Sequence, residues 1–93
     1  MHVHVLTITF IINDAYSLKD KRRVVKSIIQ KSQVRFKVSA AEVAFHDILN
    51  QSELAFAIVT SDAKLGKKRL EDIFAFIEST YPIMVTEYNI AEM

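Results

Sequence analysis

Between Ser17 and Lys37 the chain carries eight basic residues, Lys19, Lys21, Arg22, Arg23, Lys26, Lys31, Arg35 and Lys37, against a single acid, Asp20. Lysine and arginine at this density offer one main chemistry, the neutralisation of anionic groups such as phosphates. On a helical wheel Lys19, Arg22, Arg23 and Lys26 fall within about 100° of one another. Gln30 and Gln33 flank them, and no acid stands among them. Ser17 reads as the N-cap of this helix, with Asp20 three residues on as a weak variant of the capping box. Cations in the first turns oppose the helix dipole, each at a cost of about 0.3–1 kcal/mol when exposed at low salt. Bound phosphates would offset that cost, because orphan N–H groups at a helix start and nearby Lys and Arg form an anion site. The alternative is a basic face that is merely solvated. Lys21 lies inside the apolar stripe of the same helix, so either its stem snorkels or its ammonium is partly buried for a ligand or partner. The expected anion-binding set is Ser17, Lys19, Lys21, Arg22, Arg23 and Lys26, and the expected partner is RNA or a ribonucleoprotein.

Other chemistry is sparse. His2 and His4 would share one face of a strand, a start towards a zinc site, but the sequence defines no third ligand and contains no cysteine. No metal or cofactor is therefore expected. There is no glycine-rich phosphate loop, no GxSxG motif and no thiol nucleophile. Glu42, Asp47 and Asp62 are acids that no spacing pairs with a base. Neither an enzymatic activity nor a small-molecule substrate is expected.

The elements that position these residues follow from periodicity. At 51% hydrophobic and 25% charged residues, the composition is that of an ordinary folded domain spanning 1–93. The net charge of +1 hides a dipole, since Glu71 to Met93 holds five acids and no base. The first residues lack the basic segment and cleavage site of a signal peptide. Apolar runs fall far short of the roughly 20 residues that cross a bilayer. With no cysteine, these features point to a cytoplasmic protein without membrane contact.

Residues 2–12 alternate and read as a central strand. A helix of about 16 residues follows Ser17, with Leu18, Val24, Val25, Ile28 and Ile29 as its stripe. Phe36 to Phe45 reads as a second strand, His46 to Gln51 as a turn, and Glu53 to Thr60 as a third strand. Ser61 or Asp62 caps a second helix to about Thr80, Pro82 stops it, and Ile83 to Ala91 forms the last strand. The order βαββαβ is the α+β split βαβ, or ferredoxin-like, arrangement: one four-stranded antiparallel sheet with both helices on one face. Right-handed crossovers place the first and third strands in the middle.

The helices should cover Leu6, Ile8, Phe10, Leu54, Phe56 and Ile58. The open face would then show Val3, Val5, Thr7, Thr9, Ile11, Ala55, Ala57 and Val59, small, apolar and uncharged. Base stacking of the kind used by sheet-based RNA readers is not expected, because Phe10 and Phe56 fall in the core register. Val3, Val5, Ala55, Ala57 and Val59 are instead expected to form a homo-oligomer interface. Acylphosphatases share this arrangement but need a glycine-rich loop carrying an arginine, and this chain has one glycine.

The segment Ser17 to Val43, SLKDKRRVVKSIIQKSQVRFKVSAAEV, resembles the signature of the YlxP-like family of bacterial proteins, a domain-of-unknown-function family. The likeness runs from Met1-His2-Val3 through LAFAIVTSD of the third strand. It implies a ferredoxin-like fold and, from the genes its members neighbour, a connection to RNA or the ribosome. It implies no catalytic residues. Relatives usually have Asn where this chain has Lys37, and many have Trp where it has Leu49.

Overall fold

Alternating apolar residues become one buried layer as soon as the strands pair. In the computed structural model, which describes residues 1–93, the elements are β1 (His2–Ile12), α1 (Leu18–Phe36), β2 (Ser39–Ala44), β3 (Gln51–Thr60), α2 (Ala63–Thr80) and β4 (Ile83–Glu92). The strands form one antiparallel sheet in the order β2-β3-β1-β4, so β1 and β3 are central as the crossover argument requires. This is the βαββαβ ferredoxin-like architecture. Leu6, Ile8 and Phe10 of β1 and Leu54, Phe56 and Ile58 of β3 face the helices. They join Val25, Ile28, Leu70, Ile73 and Ile77 in a single core. Phe74 is only partly buried and packs its ring on Tyr88, 4.4 Å between centroids.

Two boundaries differ from expectation. The segment from Phe36 does not begin a strand: α1 continues through Phe36, and β2 starts at Ser39. Tertiary packing overrides the β propensity of Phe36. Its ring meets Phe76 of α2 edge-on at 5.7 Å, and the Arg35 guanidinium lies over both rings. The helix then ends on Lys37, which adopts the left-handed conformation (φ 56°, ψ 50°) while its N–H bonds to the Gln33 carbonyl. Gln51, expected in the turn, belongs to β3. At the start of α2 the cap is Asp62, whose carboxylate accepts from the N–H groups of Lys64 and Leu65.

Lys21 departs furthest from its expected place. It neither snorkels nor presents its ammonium to a ligand: the whole residue is inaccessible to solvent. Its Nζ lies 3.1 Å from Glu42 Oε2 on β2 and donates to the carbonyls of Phe45 and His46, the latter at 3.1 Å. Three acceptors thus meet the three donors of one ammonium. Ser52 of β3 donates to the same Glu42 oxygen at 2.6 Å. Phe45 takes a left-handed conformation (φ 63°), which helps bring both carbonyls of the β2–β3 turn within reach.

Two stability predictions follow. Lys21→Met should cost about 3–5 kcal/mol, because it leaves a largely buried carboxylate without its counter-charge. Adding Glu42→Gln should recover much of the loss, since the two changes act on one interaction. Urea denaturation followed by circular dichroism measures both; a single-variant loss below about 1 kcal/mol would contradict the assignment. Lys37→Asn should stabilise by about 0.5–1 kcal/mol, because asparagine tolerates the left-handed cap better than lysine. An unchanged or lower denaturation midpoint would count against that explanation.

Candidate nucleic-acid interface

The helix that carries the cations starts at a closed cap. Ser17 is extended, and its hydroxyl accepts from the Asp20 N–H at 3.1 Å. The Asp20 carboxylate in turn accepts from the Tyr16 N–H at 3.2 Å. Ser17 therefore acts as the expected N-cap, but Asp20 places a carboxylate of the chain itself beside the helix start. The N–H groups of Tyr16 and Asp20 are thus already satisfied, and the cap sets where the helix begins.

Lys19, Arg22, Arg23 and Lys26 are all exposed. None of their side chains forms an ion pair or a hydrogen bond within the molecule. Gln30 and Gln33 extend the same exposed stripe towards the C-terminus. Lys21 is removed from the expected set by its burial against Glu42. The other cations of the helix serve the α1–α2 contact. Lys31 lies 5.9 Å from the Tyr81 ring centroid and Arg35 4.8 Å from that of Phe76, while Ser27 and the Tyr81 hydroxyl are 2.9 Å apart. The helices meet in an antiparallel sense through their C-terminal halves, which leaves the first turns of α1 clear of α2.

On the opposite side of the sheet, Val3 pairs with Val59, Val5 with Ala57, and Thr7 with Ala55. These residues share one face, as expected, and Ser39 and Ala41 of β2 and Ala91 of β4 extend it. Val59 is 67% exposed, Ser39 and Ala41 are exposed on the edge strand, and the others are half-buried by their neighbours in the sheet. The expectation of an uncharged face holds only at this end. At the other end Glu53 and Glu87 flank Thr9, whose hydroxyl donates to Glu53 at 3.2 Å. A bulge between Thr9 and Phe10 shifts the pairing there, and the Thr86 hydroxyl donates to the Thr9 carbonyl at 3.1 Å. Phe10 and Phe56 are fully buried on the helix side, so the open face offers no stacking platform from either.

Pairing also assembles a group that spacing could not show. Glu92 of β4 is the register partner of His4 and stands beside His2. His2 Nδ1 donates to Glu92 Oε2 at 2.9 Å, and His4 Nε2 lies 3.7 Å from Glu92 Oε1. The hydrogen bond from His2, helped by the nearby positive charge of both imidazoles when protonated, holds the Glu92 carboxyl below the usual carboxylate range. His46, by contrast, bonds to the Glu42 carbonyl at 3.1 Å and stands apart. Of the three acids without an assigned base, Glu42 faces Lys21 and Asp62 caps α2, and both therefore have structural partners.

No helix of the molecule is long and apolar enough to cross a membrane. Among known proteins, the chain is similar to the "Uncharacterized protein YlxP" of Bacillus subtilis (strain 168), at 39% identity over 69 residues. That match covers 74% of this chain and 75% of the relative. A family model described as "Protein of unknown function (DUF503)" matches residues 3–90. With nearly the whole chain inside that match, the protein belongs to the DUF503, YlxP-like family.

Proposed function

We propose that this protein is a non-enzymatic binding protein that contacts RNA, free or within a ribonucleoprotein, through Lys19, Arg22, Arg23 and Lys26. One observation carries the reading: four exposed cations share a helix face without an acid to neutralise them, while Lys21 of the same helix is fully paired inside. Unpaired cations grouped in this way attract the phosphate backbone and release its counterions on binding. Such contacts position a nucleic acid without reading its bases, so affinity should depend weakly on sequence. The cytoplasm is the compartment in which such a partner would be met.

A second reading has its own observation. The apolar end of the open sheet face, with Val59 67% exposed beside Val3 and Val5, suits a homo-oligomer contact. The two surfaces lie on opposite sides of the sheet, so one does not exclude the other.

Binding of labelled single-stranded RNA, followed by fluorescence anisotropy across a salt series, tests the first reading. Four phosphate contacts imply a slope of log K against log salt of roughly −3. Replacing Arg22, Arg23 and Lys26 together by Gln should flatten it by about 2 and weaken binding to every RNA alike. The fold should survive, slightly stabilised by removal of charge opposing the helix dipole. Equal binding by both proteins at low salt would overturn the proposal. For the second reading, light scattering should show a dimer or larger species that Val5→Lys dissociates; a monomer at all usable concentrations would exclude it.

A further inference from the structure

The histidines of β1 and the last glutamate of β4 are not used by the basic face, and their geometry has its own logic. His2 and His4 stand two residues apart and so point to the same side of the strand. Their ring centroids are 6.2 Å apart with a 33° tilt. Glu92 reaches both with separate carboxylate oxygens, at 2.9 Å from His2 Nδ1 and 3.7 Å from His4 Nε2. Donor atoms of all three residues lie within 4.8 Å of one another.

His4 is 5% exposed, and its Nε2 is buried without a hydrogen-bond partner. The Glu92 oxygen aimed at that nitrogen is too far for a hydrogen bond. A buried ring nitrogen left in this way is unusual and calls for a partner. The space that admits the ring depends on Gly66 in the first turn of α2. A Cβ at that position would lie 2.7 Å from His4 Cδ2, 3.1 Å from its Nε2 and 2.8 Å from Thr60 Cγ2. This is the one glycine of the chain. Glycine there lets the helix backbone close over the imidazole and fix its orientation, as a ligand residue requires.

We propose that His2, His4 and Glu92 form a binding site for a divalent transition-metal ion of the zinc class. Two imidazoles and one carboxylate are a donor set that zinc takes in open, four-coordinate sites, with water in the fourth position. A tetrahedral ion with bonds of about 2.0–2.2 Å spaces its donors roughly 3.3–3.6 Å apart. The two nitrogens approach different oxygens of Glu92, at 2.9 and 3.7 Å, and the donor set lies within 4.8 Å. Rotation of the partly exposed His2 and Glu92 side chains would bring one oxygen and both nitrogens to the tetrahedral spacing. The ion would replace the proton that His2 Nδ1 shares with Glu92 and would give His4 Nε2 its missing partner. Glu92 is about half exposed and His2 about a third, which leaves the fourth position open to solvent. An ion held there would tie β1 to β4.

The test uses the untagged full chain, stripped with chelator and titrated calorimetrically with zinc chloride, with Co²⁺ absorption as a readout of coordination geometry. One ion per chain is expected, with a tetrahedral Co²⁺ spectrum. Glu92→Gln and His2→Ala alter groups at least a third exposed and should keep the fold by circular dichroism. Each should weaken zinc binding by more than the roughly 10–100-fold that losing an outer-shell partner costs. His46→Ala should bind as the wild type does. Zinc should raise the melting temperature of the wild type and of His46→Ala but not of Glu92→Gln. No binding by the wild type would overturn the proposal. So would equal affinity in Glu92→Gln and His2→Ala, or loss of binding in His46→Ala.

Discussion

One ammonium group sets the terms for much of this molecule. Lys21 cannot be buried as a charge unless its three donors are met, and the acceptors come from the strand and the turn that follow the helix. This requirement fixes α1 against β2 and bends the β2–β3 turn so that two successive carbonyls point inward, with Phe45 at positive φ. Buried ion pairs of this kind contribute little net stability over an apolar replacement but are costly to break, so their main effect is to exclude other arrangements. Here the excluded arrangements are rotations of α1 about its axis. With Lys21 pinned inward, Lys19, Arg22, Arg23 and Lys26 have to face outward. The orientation of the candidate RNA-binding face is thus a consequence of an interaction on the other side of the helix.

The same contact shows what the family resemblance consists of physically. Its two sequence blocks, one around Ser17 to Val24 and the other around Arg35 to Val43, are separate in the chain. They meet where Lys21 touches Glu42. Ser17 caps the helix in the first block, and Lys37 ends it in the second. What looked like a basic motif is in part a set of folding instructions, with the exposed cations as the remainder.

The strands, their order and the core were legible because alternation along β1 and β3 is strict and a one-residue slip would turn every core residue outward. The rest depended on contacts between distant segments. Phe36 is a good strand former that packing against Phe76 and Arg35 keeps in a helix. The sequence did mark Lys21 as odd, and the sign of its partner was present too: Glu42 has the inward parity on β2, so a lone base in one apolar stripe matched a lone acid in another. Glu53 shares the parity of Ala55, Ala57 and Val59 and was legible on the open face from its strand alone. Glu87 beside Thr9 and Glu92 beside the two histidines were invisible for a different reason. Each needs the cross-strand register, including the bulge at Thr9, before its neighbours are known. The cluster at residues 19–26 was readable because helical spacing alone creates it.

The pairing of β1 with β4 bears on how the chain reaches this state. β1 is the most apolar strand, and its partners come late: His2 and Glu92 are 90 positions apart, and the Met93 N–H closes on the Val3 carbonyl at 2.8 Å. Local contacts can fold each helix early, but β1 keeps one unsatisfied edge until the final strand is available. Closing such a long loop is slow relative to helix formation, so folding is expected to be rate-limited by topology. During synthesis an open apolar strand edge waits for most of the time the ribosome needs to make the chain, and that interval is when the protein is most prone to aberrant association.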